Sequence, residues 1–174
     1  MKVIDLIVGA RPNLIKIASI ISAMESNNAY KDRFTYRLVH TGQHYDEKMS
    51  ESFFRDLSIP KPHFNLEVGS GTQSFQAAEI MIRYENLLMA NKCDLCLVVG
   101  DVNSTMACAI SSKKLGISLA HVEAGIRSGD ILMPEEVNRL VTDSITDYFF
   151  TTTEDASNNL LNEGAKKENI FFVG

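Results

Sequence analysis

Short, nearly all-apolar runs rich in β-branched residues recur along this chain, and stretches with helical spacing separate them. KVIDLIV (2–8), FTYRLVH (34–40) and the runs at 95–99, 117–122, 148–152 and 170–173 read as strands. PNLIKIASIISAME (12–25) sets Leu14, Ile17, Ile20 and Ile21 at helical spacing, and DEKMSESFFRDL (46–57) predicts a second helix. TQSFQAAEIMIRYENLLMANK (72–92) is the longest expected helix, with others over 103–115, 134–147 and 154–163. SIPKPHFNLEV (58–68) holds two prolines and reads as a loop leading to a short strand. Strands that are apolar on both faces must be covered on both faces, and strand–helix alternation gives parallel strands joined by right-handed crossovers. The expected fold is a doubly wound, mainly parallel α/β sheet, as one domain over residues 1–174.

Ligands of such sheets sit beyond the carboxyl ends of the strands, so the residues that follow each strand are the candidate site. GARPN (9–13) follows the first strand, with Pro12 suited to an early helical position. Arg11 and Lys16 stand at this helix start, where the backbone is already positive. Two cations there are unfavourable unless an anion joins them, which points to a phosphate or diphosphate; the plainer alternative is that both reach water. G-x-G-x-x-G is absent and no acidic residue closes the second strand, so a dinucleotide is not expected. TGQHYDEKMS (41–50) places Gln43 and His44 on a glycine turn.

VVGDVNST (98–105) ends a strand on Asp101, which is either a helix cap or a site carboxylate. HVEAGIRSGD (121–130) ends the next strand on Glu123, a poor capping residue. Carboxylates at neighbouring strand ends can exchange protons with a substrate, because repulsion and burial spread their pKa values. MPEEVNRLV (133–141) opens a helix with Glu135 and Arg139 four apart, the spacing of an ordinary ion pair.

Several classes are disfavoured. A formal charge of −5 argues against a general nucleic-acid binder. No apolar run approaches ~18 residues, so no membrane span is expected. MKVIDLIVGARP runs from a short apolar stretch into a turn, unlike a secretory signal, and a cytoplasmic setting is expected. Cys93, Cys96 and Cys108 suit a reducing compartment, and CDLC (93–96) fronts an apolar strand, so buried structural thiols are expected rather than a redox or zinc site. Gly42 between His40 and His44 argues against the helix that would pair them on a metal.

GARPNLIK (9–16), TGQHYD (41–46), VVGDVNST (98–105), HVEAGIRSGD (121–130), MPEEVNRLVTD (133–143), TTTEDASNNLLNEG (151–164) and FFVG (171–174) occur in one order along the chain. Together they resemble the non-hydrolysing UDP-N-acetylglucosamine 2-epimerase family over essentially the whole length. The resemblance implies a Rossmann-like domain that is the amino-terminal half of a GT-B-type two-domain enzyme, with the second nucleotide-binding domain absent from this chain. It implies epimerisation at C2 of a UDP-sugar through elimination of UDP and re-addition, without a cofactor or metal, in a homodimer. The acidic site residues it implies are Asp101, Glu123 and Glu135, with Arg139 beside the last and Arg11 and Lys16 as basic ligand residues. Gln43 and His44 lie in a loop around which some members bind a UDP-sugar as activator. Asn13 departs from the Glu that often follows Arg-Pro, and the segment between Asp130 and Pro134 is shorter than in many members. A hydrolysing relative, a GT-B glycosyltransferase or a non-catalytic nucleotide-binding module are the alternatives. Release of free N-acetylmannosamine or transfer to an acceptor would mark the first two.

Overall fold

The computed structural model describes residues 1–27, 32–42 and 59–174. In chain order the elements are β1 (Lys2–Val8), α1 (Arg11–Ser26), β2 (Phe34–His40), β3 (Phe64–Asn65), α2 (Gln73–Ala90) and β4 (Leu95–Val99). They continue with α3 (Asn103–Lys114), β5 (Ser118–Val122), α4 (Pro134–Ile145), β6 (Tyr148–Thr151), α5 (Glu154–Asn162), a 3-10 turn (Lys167–Asn169) and β7 (Ile170–Phe172). The helix expected over 46–57 falls outside the described residues, as do Gln43 and His44.

All strand pairs among the described residues are parallel, in the order β3-β2-β1-β4-β5-β6-β7. The expected doubly wound Rossmann-like sheet is the fold observed. Alternation along each strand supplies two separate cores. Ile7, Val39, Cys96, Val98 and Leu119 point to one face and pack with Ile80, Tyr84 and Leu88 of α2 and Ala107 and Cys108 of α3. Leu6, Val8, Leu38, Leu97, Val99 and Ala120 point to the other and pack with Leu14, Ile17 and Ile21 of α1. The period-3.6 pattern of α1 and the period-2 pattern of the strands thus meet in one contact surface. A third cluster, Ala124, Phe149 and Leu160, seats α5 against the far side of the sheet.

The three cysteines are free and buried. Burial pushes the Cys96 thiol up to about 12, so it stays protonated and packs as a small apolar group. One charge pair interrupts the apolar strands. Asp5 and Arg37 are directly opposite in the β1–β2 register, and Asp5 is fully buried. Arg37 donates to both Asp5 oxygens, Nε at 2.6 Å and Nη2 at 2.8 Å, and the Tyr84 hydroxyl lies 3.1 Å from Oδ2. No helix among the described residues is long and apolar enough to cross a membrane.

From β1 the chain steps outward to β2 and β3, and after β4 it runs the opposite way to β5, β6 and β7. The reversal leaves a crevice at the carboxyl ends of β1 and β4, where helices depart to opposite faces. Close packing there requires Gly9: a Cβ at that position would stand 2.0 Å from Ser104 Oγ. Ser104 and Thr41 share a hydrogen bond of 2.8 Å, which ties the start of α3 to the end of β2.

Candidate active site

Because every strand is parallel, Gly9, Thr41, Gly100 and Glu123 emerge along one edge of the sheet. Asp101 follows Gly100, and Gly100 N–H donates to Val122 O at 3.0 Å, so the ends of β4 and β5 are laced together. A Cβ on Gly100 would lie 3.4 Å from Glu123 Oε2 and 3.7 Å from Asn13 Nδ2. The ends of β4 and β5 and the first turn of α1 therefore converge on this glycine, whose φ of 68° a side chain would strain.

Asp101 does not cap α3. Val102 holds the cap position without a side-chain bond, and the Asp101 carboxylate turns instead to α4. Arg139 donates to Asp101 Oδ2 from Nε at 3.0 Å and from Nη2 at 2.5 Å. Asn138 Nδ2 donates to the Asp101 carbonyl at 2.8 Å. Glu123 has φ of 68°, a left-handed backbone that costs a non-glycine residue on the order of 1–2 kcal/mol. Hydrogen bonds from Glu123 N–H and Ala124 N–H to Phe150 O hold it there. Its Oε2 pairs with Lys16 Nζ, from the second turn of α1. Each carboxylate thus has one oxygen pinned by its own cation. Asp101 Oδ1 and Glu123 Oε1 carry no hydrogen bond among the described residues.

The expected pair between Glu135 and Arg139 is not formed. Arg139 Nη1 donates to Glu136 Oε2 at 2.7 Å, three residues away on α4, and its remaining donors go to Asp101. The reason is the loop before α4. Ser128 N–H and Gly129 N–H donate to the Glu136 carboxylate at 3.0 and 3.1 Å, so it is fixed where Arg139 can reach it. Glu135 is half-buried at the same helix start, and its carboxylate has no hydrogen bond or ion pair among the described residues. Burial pushes the Glu136 carboxyl up, but the Ser128 N–H, the Arg139 guanidinium and the Gly129 N–H outweigh it and hold the group at about 2. A folded-state pKa below the unfolded value adds stability above the unfolded value and loses it as pH falls through the folded one. Glu136→Gln is therefore expected to flatten the acid limb of the stability curve between the ordinary carboxyl value of 4.5 and about 2, followed by urea unfolding across that range.

Arg11 is the first residue of α1, and its side chain lies outside what is described. Asn13, on the first turn of α1, is buried; its Nδ2 donates to Val99 O at 2.6 Å, and its Oδ1 has no partner among the described residues. Beneath the crevice, His121 is fully buried in β5. Its Nδ1 lies 2.6 Å from Asp143 Oδ1, and its Nε2 lies 2.8 Å from Gly100 O. Asp143 Oδ2 accepts from Arg127 Nη1 at 2.7 Å and from Gly125 N–H at 3.0 Å. Burial raises the Asp143 carboxyl, yet these partners and His121 together hold it below the usual carboxylate range. Glu136, Asn138, His121 and Asp143 fall inside the quoted motifs, but a strand-end reading passes over them because they support the strand-end residues.

The model of one family, described as UDP-N-acetylglucosamine 2-epimerase, matches residues 27–174. The chain belongs to that family. Among 2-epimerase relatives, a UDP-N-acetylglucosamine 2-epimerase homolog of Methanococcus maripaludis is 48% identical over 174 residues, covering 100% of this chain and 46% of its own. The UDP-2,3-diacetamido-2,3-dideoxy-D-glucuronate 2-epimerase of Pseudomonas aeruginosa is 40% identical over 168 residues, covering 97% and 46%. A crystal structure of the Methanocaldococcus jannaschii UDP-GlcNAc 2-epimerase in complex with UDP-GlcNAc and UDP superposes with a TM-score of 0.92 at 45% identity, covering 100% of this chain and 46% of that one. The chain spans about half the length of the curated 2-epimerases it matches.

Proposed function

We propose that this chain is the amino-terminal lobe of a two-lobed, GT-B-type UDP-N-acetylglucosamine 2-epimerase, with the substrate in the cleft between the lobes. The observation that carries the reading is the pair of half-engaged carboxylates at adjacent strand ends. Asp101 and Glu123 each have one oxygen held by a cation and one oxygen unengaged among the described residues. The whole protein is proposed to act in the cytoplasm, a reducing setting that suits free buried thiols, and as a homodimer. Exposed Phe75, Ile82 and Met89, seven apart on α2, supply an apolar stripe that supports the second proposal.

The chemistry follows from what the carboxylates can do. A carboxylate takes the C2 proton of the sugar while the C1–O bond breaks and its electrons leave with the diphosphate, giving a glycal. UDP then adds back to C1 as a proton is delivered to the opposite face of C2. Lys16 and Arg11, at the positive end of α1, are proposed to stabilise the departing diphosphate. Glu135 is proposed as a third acid–base group. The Arg139 guanidinium holds Asp101 in place and faces the same region. Inversion at C2 requires no net redox change.

Incubating the whole protein with UDP-N-acetylglucosamine in deuterated water tests this by NMR. UDP-N-acetylmannosamine with deuterium at C2, and no free N-acetylmannosamine, is the expected result. UDP-2,3-diacetamido-2,3-dideoxyglucuronate is the second substrate to compare, because a relative 40% identical carries that name. Free N-acetylmannosamine would instead mark a hydrolysing enzyme. No C2 exchange with either nucleotide sugar would overturn the epimerase reading.

A further inference from the structure

The backbone of the Gly100–Asp101 turn is fixed from three sides, two of them by the buried side chains of Asn138 and His121. Gly100 N–H is held by Val122 O, the Asp101 carbonyl by Asn138, and the Gly100 carbonyl by His121 Nε2 at 2.8 Å. The Gly100 carbonyl belongs to the peptide plane that carries the Asp101 N–H, so its direction sets where the Asp101 Cα and carboxylate stand. A carbonyl only accepts, so Nε2 must carry the proton in this contact. The other ring nitrogen faces Asp143 Oδ1 at 2.6 Å, with a proton between them. Asp143 is itself anchored by Arg127 and Gly125, and Arg127 forks onto Glu163 from Nε at 2.8 Å and Nη2 at 2.5 Å. The ring therefore cannot swing, and with an acceptor facing each nitrogen, the Asp143 carboxylate and the Gly100 carbonyl, both ring nitrogens donate. Two residues further on, just past the end of β5, the chain reaches Glu123, held in its left-handed backbone. One buried imidazole thus links both strand ends that bear carboxylates.

We propose that His121 is a positioning residue for the reaction: its Nε2–H holds the Gly100 carbonyl and thereby aims the Asp101 carboxylate at the reacting carbon, while the Asp143 carboxylate accepts from Nδ1–H and keeps the ring turned toward that carbonyl. This rests on the epimerase reading. Buried histidines also serve packing alone, so the test must separate donation to Gly100 from bulk. Glutamine carries its amide nitrogen about where Nε2 stands, whereas asparagine, shorter by one carbon, reaches only the Nδ1 position. In the whole protein, His121→Asn is expected to lower kcat by about tenfold or more with KM within about threefold of wild type. His121→Gln is expected to recover kcat to within about threefold of wild type, although both variants lower Tm together. Equal kcat losses in the two variants, or wild-type kcat in both per folded molecule, would overturn the proposal. A spectrum of the ¹⁵N-histidine-labelled wild-type protein gives a measurement that no variant's folding can spoil: Nε2 of His121 is expected to be protonated, and a bare Nε2 overturns the proposal outright. Absence of C2 exchange in the wild-type protein would sink the epimerase reading instead, and the ring spectrum would still decide whether His121 donates to Gly100.

Discussion

Asp101→Asn and Glu123→Gln are each expected to lower kcat of the whole protein by about 10²–10⁴-fold, the range spanned by removal of a general acid or base. Both changes keep the shape of the side chain and remove only its capacity to take a proton. Neither should unfold the protein. The Asp101 side chain is 33% exposed and the Glu123 side chain 24%, so an amide can hydrate in either place. Arg139 keeps Glu136 as a partner when Asp101 becomes neutral, and Lys16 is 36% exposed and can turn to water when Glu123 does. KM should move less than kcat, because binding to the diphosphate is assigned to other residues. Steady-state kinetics with parallel thermal melts check this. Wild-type turnover in both variants would remove the two carboxylates from the mechanism.

The largest expected effect on stability comes from Arg37→Leu. Asp5 is fully buried, and Arg37 covers both its oxygens while also donating to Asn91 O at 2.9 Å and lying over the Phe64 ring at 5.5 Å. Removing the cation strands a carboxylate in the sheet beside the Tyr84 hydroxyl and the Cys93 thiol. Loss of one partner from a buried pair costs about 3–5 kcal/mol. For a domain of this size that corresponds to a Tm lower by roughly 10 °C. Replacing both residues, as in Asp5→Leu with Arg37→Leu, is expected to recover much of the loss, because no lone charge is left behind. Lys2→Met, which breaks the exposed pair with Asp94, should leave Tm nearly unchanged. Equal Tm losses for Arg37→Leu and Lys2→Met would show that burial does not govern these pairs.

The sheet was legible because two periodicities coincide in the chain. Alternation in KVIDLIV sends Leu6 and Val8 to one core and Ile7 to the other, and the spacing of Leu14, Ile17 and Ile21 matches the first of these. Strand-end rules placed Asp101 and Glu123 among the residues at the carboxyl edge of the sheet, since parallel strands deliver their carboxyl ends there. Local rules failed where the deciding contact comes from elsewhere in the chain. Glu135 and Glu136 both lie within a helical turn of Arg139, and spacing cannot choose between them. The choice is made by N–H groups of Ser128 and Gly129, a loop contact with no signature in the sequence. Capping looked equally available to Asp101 until Arg139 claimed its carboxylate. His121 and Asp143 sit 22 residues apart in an apolar strand and a helix, and only the packing of α4 beside β5 brings them together.

In the proposed complex the sugar's C2 lies between Asp101 and Glu123 while the diphosphate rests at the start of α1. A crystal structure of the whole protein with UDP-N-acetylglucosamine bound would measure it. C2 should lie about 3–3.5 Å from a carboxylate oxygen of Asp101 or Glu123, the reach needed for proton transfer, with the diphosphate against Lys16. A sugar seated beyond reach of both carboxylates, with its diphosphate away from α1, would contradict it.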